Sequence, residues 1–432
     1  MLDVNLIRKN PEEVKRGIAS KNAKESLVDD FLKLDVEWRE QVKAIDEKRA
    51  ELRKLSTRKL EGAELEQAKR IKEQVKNEEV KLPDIEKKRA TILKQIPNPP
   101  LPNVPVGKDE SGNQTLREVG KKPSFNFPFK DYVELGEDLD LIDTERAGKV
   151  SGTRFGYLKR EAAILEFGLA QMVIDFVTNE KNIKKIIKRE KLALEPRAFI
   201  PIVPPVLIKP ESMEAMGYVE RGGDEIYFIE KDQLYLVGTS EQSIGPMHSG
   251  EVFEKKQLPL RYVGFSTCFR REAGSHGKDT RGILRVHQFD KLEMFTICAP
   301  ENSADEHKLL LAIEEQLMQM LGLPYRVLNI CTGDLGDPAA AKYDIEVWLP
   351  GQNDKKGQYR ETHSTSNTTD YQARRLNIKM KPDNQFVHML NGTAFAIGRI
   401  LIAILENYQT KDGSVKVPKI LKKYTGLKEI RR

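Results

Sequence analysis

The sequence predicts an α+β protein, with an antiparallel β-sheet flanked by helices and, ahead of it, an antiparallel α-helical coiled-coil hairpin. Three observations carry this expectation. Two heptad runs lie close together near the start, joined by a short break that contains a glycine. A proline-rich stretch then ends all periodicity. Beyond it, short alternating strands follow one another in adjacent runs rather than in strict βαβ order.

At the N-terminus, Asn10-Pro11-Glu12-Glu13 reads as a helix opening, with an N-cap side chain, proline at the first helical position and acids near the positive end of the dipole. From Phe31 the apolar positions Phe31, Leu34, Trp38, Ile45, Leu52 and Leu55 advance in steps of three and four, with Gln41 and Lys48 at the skipped seam positions. Ala68, Ile71, Val75, Glu78, Leu82, Ile85, Arg89, Ile92 and Ile96 repeat the pattern. Two arms of ~30 residues would each reach ~45 Å. Pro83 should kink the second arm or break it.

Charge on this hairpin is uneven. Lys48, Arg49, Arg53, Lys54, Arg58 and Lys59 near the tip of one arm face Lys69, Arg70, Lys72 and Lys76 on the other. A solvated coiled coil or a dimerising helix pair accounts for such a pattern, and so does a polyanion-binding arm. The segment "IPNPPLPNVPVGKDESGN" can continue neither helix. Three regions follow: a helical domain over 1–100, a linker over 101–120 and a sheet domain over 121–432.

Composition bounds the function. A chain of 432 residues holds two or three domains. No stretch approaches the ~20 apolar residues that span a bilayer, and no apolar run follows the first charges, so a soluble cytoplasmic protein is expected. Cys268, Cys298 and Cys331 form neither a CxxC pair nor a disulfide spacing, which gives no zinc signature. A net charge of +6 among 32% charged residues permits a polyanionic partner without demanding one.

The sheet domain carries the chemistry. No P-loop and no Rossmann glycine fingerprint is present, so a bound nucleotide would need another design. In "FSTCFRRE", period-two alternation places Cys268, Arg270 and Glu272 on one face. In "RVHQFDKLEMF" it does the same for Arg285, Phe289 and Glu293, the last two ~13 Å apart. A ring, a cation and a carboxylate in that order suit a purine, its phosphates and a substrate group beyond them.

This order resembles a known family: "FRREAGSHGKDTRGILRVHQFDKLEMF" is closely similar to motif 2 of the seryl-tRNA synthetases, within the class II synthetases. The resemblance implies that Arg270 contacts the ATP α-phosphate and the serine carboxylate region, that Glu272 meets the adenine edge, and that Phe289 stacks on adenine. It puts Arg285 and Val286 in the ATP site and makes Glu293 the acceptor for the serine hydroxyl. "LYLVGTSEQ" resembles the family's TxE element, which implies that Thr239 and Glu241 hold the α-ammonium group. "QYRETHSTSNTTDYQARR" resembles the strand that holds Mg2+ through Glu361 and Ser364. "HMLNGTAFAIGRILIAILENYQ" resembles motif 3, with Arg399 on the γ-phosphate side of a bent ATP and Asn391 and Thr393 near the serine pocket.

"VPPVLI" is similar to motif 1, which implies a homodimer with Pro205 at the interface. The hairpin corresponds to the family's RNA-binding arm, implying contacts from Arg49, Arg53, Lys54, Arg58, Lys69 and Lys72 to the long variable arm of serine tRNA, and to selenocysteine tRNA where present. The reaction implied is ATP-dependent ligation of L-serine to tRNA through a seryl-adenylate. A non-catalytic RNA-binding body would not need Arg270, Glu272, Glu361 and Arg399, and a truncated relative that charges a carrier protein would not need the arm. One segment departs from the pattern: "NEKNIKKIIKREKLALEPRAF" is long and basic, and a solvated surface helix is expected there.

Overall fold

The computed structural model describes residues 1–56, 61–219, 225–273, 279 and 281–432, and it divides into two compact units, Met1–Pro99 and Pro100–Arg432.

The first unit opens with two short helices, α1 (Val4–Lys9) and α2 (Pro11–Ser20). Pro11 stands in the first turn of α2 with Glu12 and Glu13, but the Asn10 side chain makes no capping bond. Asp3 caps α1 instead, accepting from the Asn5 amide. The hairpin follows as α3 (Ser26–Leu55, 30 residues) and α4 (Ala63–Gln95, 33 residues). Phe31, Ile45, Ala68, Ile71, Val75 and Ile85 are buried along the seam, and Gln41 donates across it to Glu78, as their heptad positions predict. Helix α4 runs unbroken through Pro83. That proline sits on the exposed side, where the carbonyl it leaves without a donor can turn to water.

One buried polar residue stands in the seam beside Leu34. Asp35 is inaccessible to solvent and accepts two bonds of 2.8 Å from Arg8 and one of 2.8 Å from Arg89, with Arg39 at 3.1 Å. Burial pushes its carboxyl up, but Arg8 and Arg89 outweigh burial and hold it below the ordinary aspartate range. Of the tip cations, Arg49 pairs with Glu79 at 2.7 Å and Lys69 with Glu66 at 2.8 Å, while Arg53, Lys54 and Lys72 are exposed. Arg58 and Lys59 lie outside the described residues.

The second unit is built on one eight-stranded sheet: β1 (Gln114–Val119), β2 (Ile200–Ile202), β3 (Leu260–Phe269), β4 (Gln288–Cys298), β5 (Tyr325–Asn329), β6 (Ala341–Leu349), β7 (Gln358–Asn367) and β8 (His388–Ala396). Their order across the sheet is β1-β5-β6-β7-β8-β4-β3-β2. Every pairing is antiparallel except that of β2, which lies parallel to β3 at the edge. Helices α5 (Arg160–Val177), α6 (Glu180–Arg189), α7 (Ser303–Leu321) and α8 (Ile397–Tyr408) accompany the sheet. Leu165 and Met172 of α5, Leu309 and Ile313 of α7 and Ile400 and Ile404 of α8 form the main core with Leu292, Met294, Val327 and Ile345 of the strands.

One segment differs from its sequence reading, and another forms the surface helix expected of it. Residues 101–120, expected as a linker, pack on the sheet: Val104 is buried with Leu328 and Ile330, and β1 pairs with β5. The basic segment after α5 folds as α6, which buries Ile183, Ile186 and Ile187 and exposes its lysines, so only one of its faces is solvated.

Asp35→Asn tests the polar knot of the hairpin. It should destabilise the helical unit by about 2 kcal/mol at neutral pH, since a charged acceptor for three guanidiniums becomes neutral. The folded carboxyl titrates below its ordinary value, so its contribution is complete above about pH 4 and is lost as the pH falls below that. Thermal melts followed by helical circular dichroism should converge for parent and variant as the solution is acidified.

Candidate active site

The cavity of about 680 Å³ on the sheet is lined by all thirteen residues of the second unit that the sequence nominated for substrate or metal: Thr239, Glu241, Arg270, Glu272, Arg285, Val286, Phe289, Glu293, Glu361, Ser364, Asn391, Thr393 and Arg399. They come from widely separated parts of the chain. Strand β4 supplies Phe289 and Glu293, β7 supplies Glu361 and Ser364, and β8 supplies Asn391 and Thr393. Thr239 and Glu241 stand at the start of a one-turn helix, Glu241–Ile244, and Arg399 sits in the first turn of α8.

Plain alternation does not account for all of this. Strand β3 ends at Phe269, and the chain turns there, with the Arg270 amide donating to the His287 carbonyl at 3.0 Å. Glu272 then takes a left-handed backbone (φ 52°) and accepts from Arg285 at 2.6 Å. Cys268 is buried, so Arg270 and Glu272 reach the cavity through a turn rather than along a shared strand face with it. Arg285 likewise precedes β4. Glu361 and Ser364, three apart, would point to opposite faces of a regular strand. The β6–β7 register slips between Ile345 and Glu346, leaving Thr362 unpaired, and this bulge brings both side chains into the cavity.

One end of the cavity is rich in carboxylates. Glu293 is fully buried, and Lys291 Nζ stands 2.5 Å from its Oε2 and 3.1 Å from Thr239 Oγ1. Asn391 Nδ2 donates to Glu241 and, at 3.4 Å, to Glu293, and the Tyr218 hydroxyl donates to Glu241. Burial and the neighbouring Glu293 push the Glu241 carboxyl up to about 7. Burial raises Glu293 as well, against the opposing pull of Lys291. An ammonium group with a hydroxyl close by would satisfy both acceptors.

The other end is cationic. Arg270 lies 5.3 Å from the centre of the Phe289 ring, and its Nε donates to the Gly238 carbonyl at 3.2 Å. Arg399 donates to the Glu361 carbonyl at 2.7 Å, and desolvation within the cavity holds its half-buried guanidinium below its usual range. The Glu361 side chain is half accessible, and against desolvation by the cavity wall Arg399, Lys342 and Arg270 together hold its carboxyl low. Three guanidiniums in one cavity with a half-buried aromatic ring are chemistry that suits a phosphorylated aromatic base. The Glu361 carboxylate and the Ser364 hydroxyl are hard oxygen donors of the kind Mg2+ takes when substrate phosphates and waters complete its shell.

Sequence reasoning missed Tyr218 and Lys291. Tyr218 follows a helix end in an aperiodic loop and carries no signal. Lys291 had one, because it shares the parity of Phe289 and Glu293 on β4.

Comparison with known proteins agrees with this geometry. Residues 227–408 match the model of the tRNA synthetase class II core domain (G, H, P, S and T), and residues 1–100 match the seryl-tRNA synthetase N-terminal domain. The serine–tRNA ligase of Dictyoglomus turgidum is 43% identical over 443 aligned residues, covering 100% of this chain and 99% of the relative. The chain belongs to the seryl-tRNA synthetases. It is therefore an enzyme, an aminoacyl-tRNA ligase of class II. The crystal structure of seryl-tRNA synthetase from Pyrococcus horikoshii complexed with ATP superposes with a TM-score of 0.90 at 40% identity, covering 100% of this chain and 99% of that one. The cytoplasmic serine–tRNA ligase from Naegleria fowleri in complex with AMP gives 0.87 at 34% identity, with the same coverage of both chains.

The raised Glu241 carboxyl has a measurable consequence for stability. Between its ordinary value of roughly 4.3 and about 7, the folded state keeps a proton that the unfolded chain has released, so stability falls as pH rises through that window. Glu241→Gln should flatten this fall. Melting temperatures of ligand-free protein between about pH 5 and about pH 7.5 should drop less for the variant than for the parent.

Proposed function

We propose that the cavity binds L-serine and ATP side by side, forms seryl-adenylate with release of pyrophosphate, and transfers the seryl group to the terminal adenosine of serine tRNA, releasing AMP. The observation that carries this reading is the polarity of the cavity, in which a buried pair of carboxylates and an arginine cluster share one floor. Glu241 and Thr239 take the α-ammonium group, and Glu293, with Asn391 and Thr393 beside it, takes the hydroxyl. Phe289 stacks on adenine, Glu272 meets its edge, and Arg285 and Val286 complete the nucleotide site. Arg270 spans the serine carboxylate and the α-phosphate, and Arg399 holds the γ-phosphate side.

The carboxylate oxygen of serine attacks the α-phosphorus in line. The bond to the bridging oxygen breaks, and pyrophosphate leaves with that electron pair. Arg270 and Arg399 stabilise the charge that develops on the phosphoryl oxygens. Mg2+, held by Glu361 and Ser364, would neutralise further phosphate charge when bound. A ribose hydroxyl of the tRNA then attacks the adenylate carbonyl. Among the described residues no helix is long and apolar enough to cross a membrane, and the cytoplasm is the compartment proposed.

The protein is proposed to act as a homodimer through the segment around Pro205. Pro205 is exposed, and the edge strand and the residue after it show apolar surface to solvent, with Ile200 49% and Val203 80% accessible. Selenocysteine tRNA, where it exists, is proposed as a second acceptor, since the hairpin would recognise a long variable arm by shape.

Serine-dependent exchange of labelled pyrophosphate into ATP tests the reading directly. Glu293→Ala should cut kcat/KM for serine by about 10- to 150-fold, the worth of a hydrogen bond to a charged group, and leave the KM for ATP near that of the parent. An equal loss for both substrates would move Glu293 out of the serine site.

The arm has its own test. Reversing the charge of Arg53, Lys54, Lys69 and Lys72 should weaken tRNA binding and flatten its salt dependence, while pyrophosphate exchange stays at the parent rate. Unchanged aminoacylation kinetics across a salt series would remove the hairpin from the RNA-binding surface.

A further inference from the structure

Glu293 is surrounded by reasons to lose its charge. It is fully buried, and Asn391 bridges it to the Glu241 carboxyl. A third carboxyl lies behind the floor. Glu314 of α7 is inaccessible to solvent, with neither oxygen hydrogen-bonded, and a Cβ built on Gly392 would come within 3.0 Å of its Oε1. Against these stands Lys291, 7% exposed, whose ammonium is 2.5 Å from Glu293 Oε2 and 3.1 Å from Thr239 Oγ1.

We propose that Lys291 is a positioning residue for amino-acid selection: bridging Glu293 and Thr239, it keeps the Glu293 carboxyl anionic and aimed as a pure acceptor, so that the pocket demands a hydroxyl from its substrate. This deepens, and rests on, the reading of Glu293 as the acceptor of the serine hydroxyl. The physical reason is the difference between the two forms of a carboxyl. An anion only accepts, and is left one hydrogen bond short when alanine replaces serine. A neutral carboxyl can donate its own proton to a neighbour and tolerates the methyl group better.

The groups facing Glu293 decide which form it takes. Glu241 and the Tyr218 hydroxyl face it from one side, Glu314 from α7 and Arg270 from the end of β3. Burial raises the Glu293 carboxyl most strongly, and Lys291 is the largest influence that lowers it, ahead of Thr393 and Arg270. Without the ammonium, burial and the nearby Glu241 carboxyl remain, and Glu293 is pushed further towards its protonated form. The active form is the anion, so the acid limb of kcat/KM for serine must move to higher pH.

The test is pyrophosphate exchange by Lys291→Met and Lys291→Arg from about pH 6 to about pH 9.5. For Lys291→Met, kcat/KM for serine should fall roughly 10- to 100-fold near pH 7 and recover in part at alkaline pH, with the acid limb displaced upward by about one unit or more. Discrimination against alanine should shrink with it. Lys291→Arg keeps the charge and should keep the parent's acid limb. Stabilisation of Lys291→Met by ATP in a thermal melt controls for folding. In a Glu293→Gln background, the same lysine substitution should add little to the loss. A uniform loss at every pH, or a full additional loss in the Glu293→Gln background, would overturn the proposal. Parental serine kinetics in Glu293→Gln would instead overturn the acceptor reading beneath it. An impaired Glu293→Gln with a parental Lys291→Met profile would sink the lysine proposal alone.

Discussion

A β-strand offers a given face only every second residue, and this site needs more polar groups on one face than that rule supplies. The sheet meets the need by breaking its own register. At Thr362 one extra residue brings Glu361 and Ser364, three apart, to the same side. A second irregularity, between β4 and β8, puts Glu293 opposite Thr393 while Leu292 still faces Phe395. The regular parts of the same strands keep Leu292, Met294 and Ile345 in the core. The helices behind the sheet thus bury an ordinary apolar face while the front carries charge.

Charge on that front is sorted rather than mixed. Glu241 and Glu293 share one end with a single lysine, and Arg270, Arg285 and Arg399 hold the other with Glu272 and Glu361. Each end therefore has an excess that a ligand of opposite sign relieves. Desolvation of these groups appears as raised carboxyls at one end and a lowered arginine at the other.

Much of this was legible in the residues. The heptads of α3 and α4 and the strands around Phe265 and Phe289 follow from periodicity, which survives whatever the chain packs against. The candidate site was legible because its motifs come in a recognisable order, and every residue they nominated for substrate or metal lines the cavity. What escaped has physical causes. Asp35 breaks the apolar pattern of its seam, and the arginines that show why it is buried are, apart from Arg39 one turn on, far away in the chain: Arg8 and Arg89. A bulge such as Thr362 leaves no mark on composition. Strand β1 hides in a stretch rich in proline and glycine because six residues on a sheet edge need little apolar content. Lys291 was visible by parity and passed over, since a lysine on a strand is most often a solvated one.

Pro83 gives the hairpin a mechanical property that its seam alone would not. Without an amide hydrogen it cannot close the helical bond to the carbonyl one turn earlier, and it lies on the exposed side of α4. The apolar contacts of Val75, Leu82 and Ile85 continue on the inner side across the same turn. At that level α4 gives up one helical bond on its outer surface while its seam stays closed, so bending there costs less than bending against an intact turn. A long lever that bends at a set point can follow a curved partner without separating its two strands.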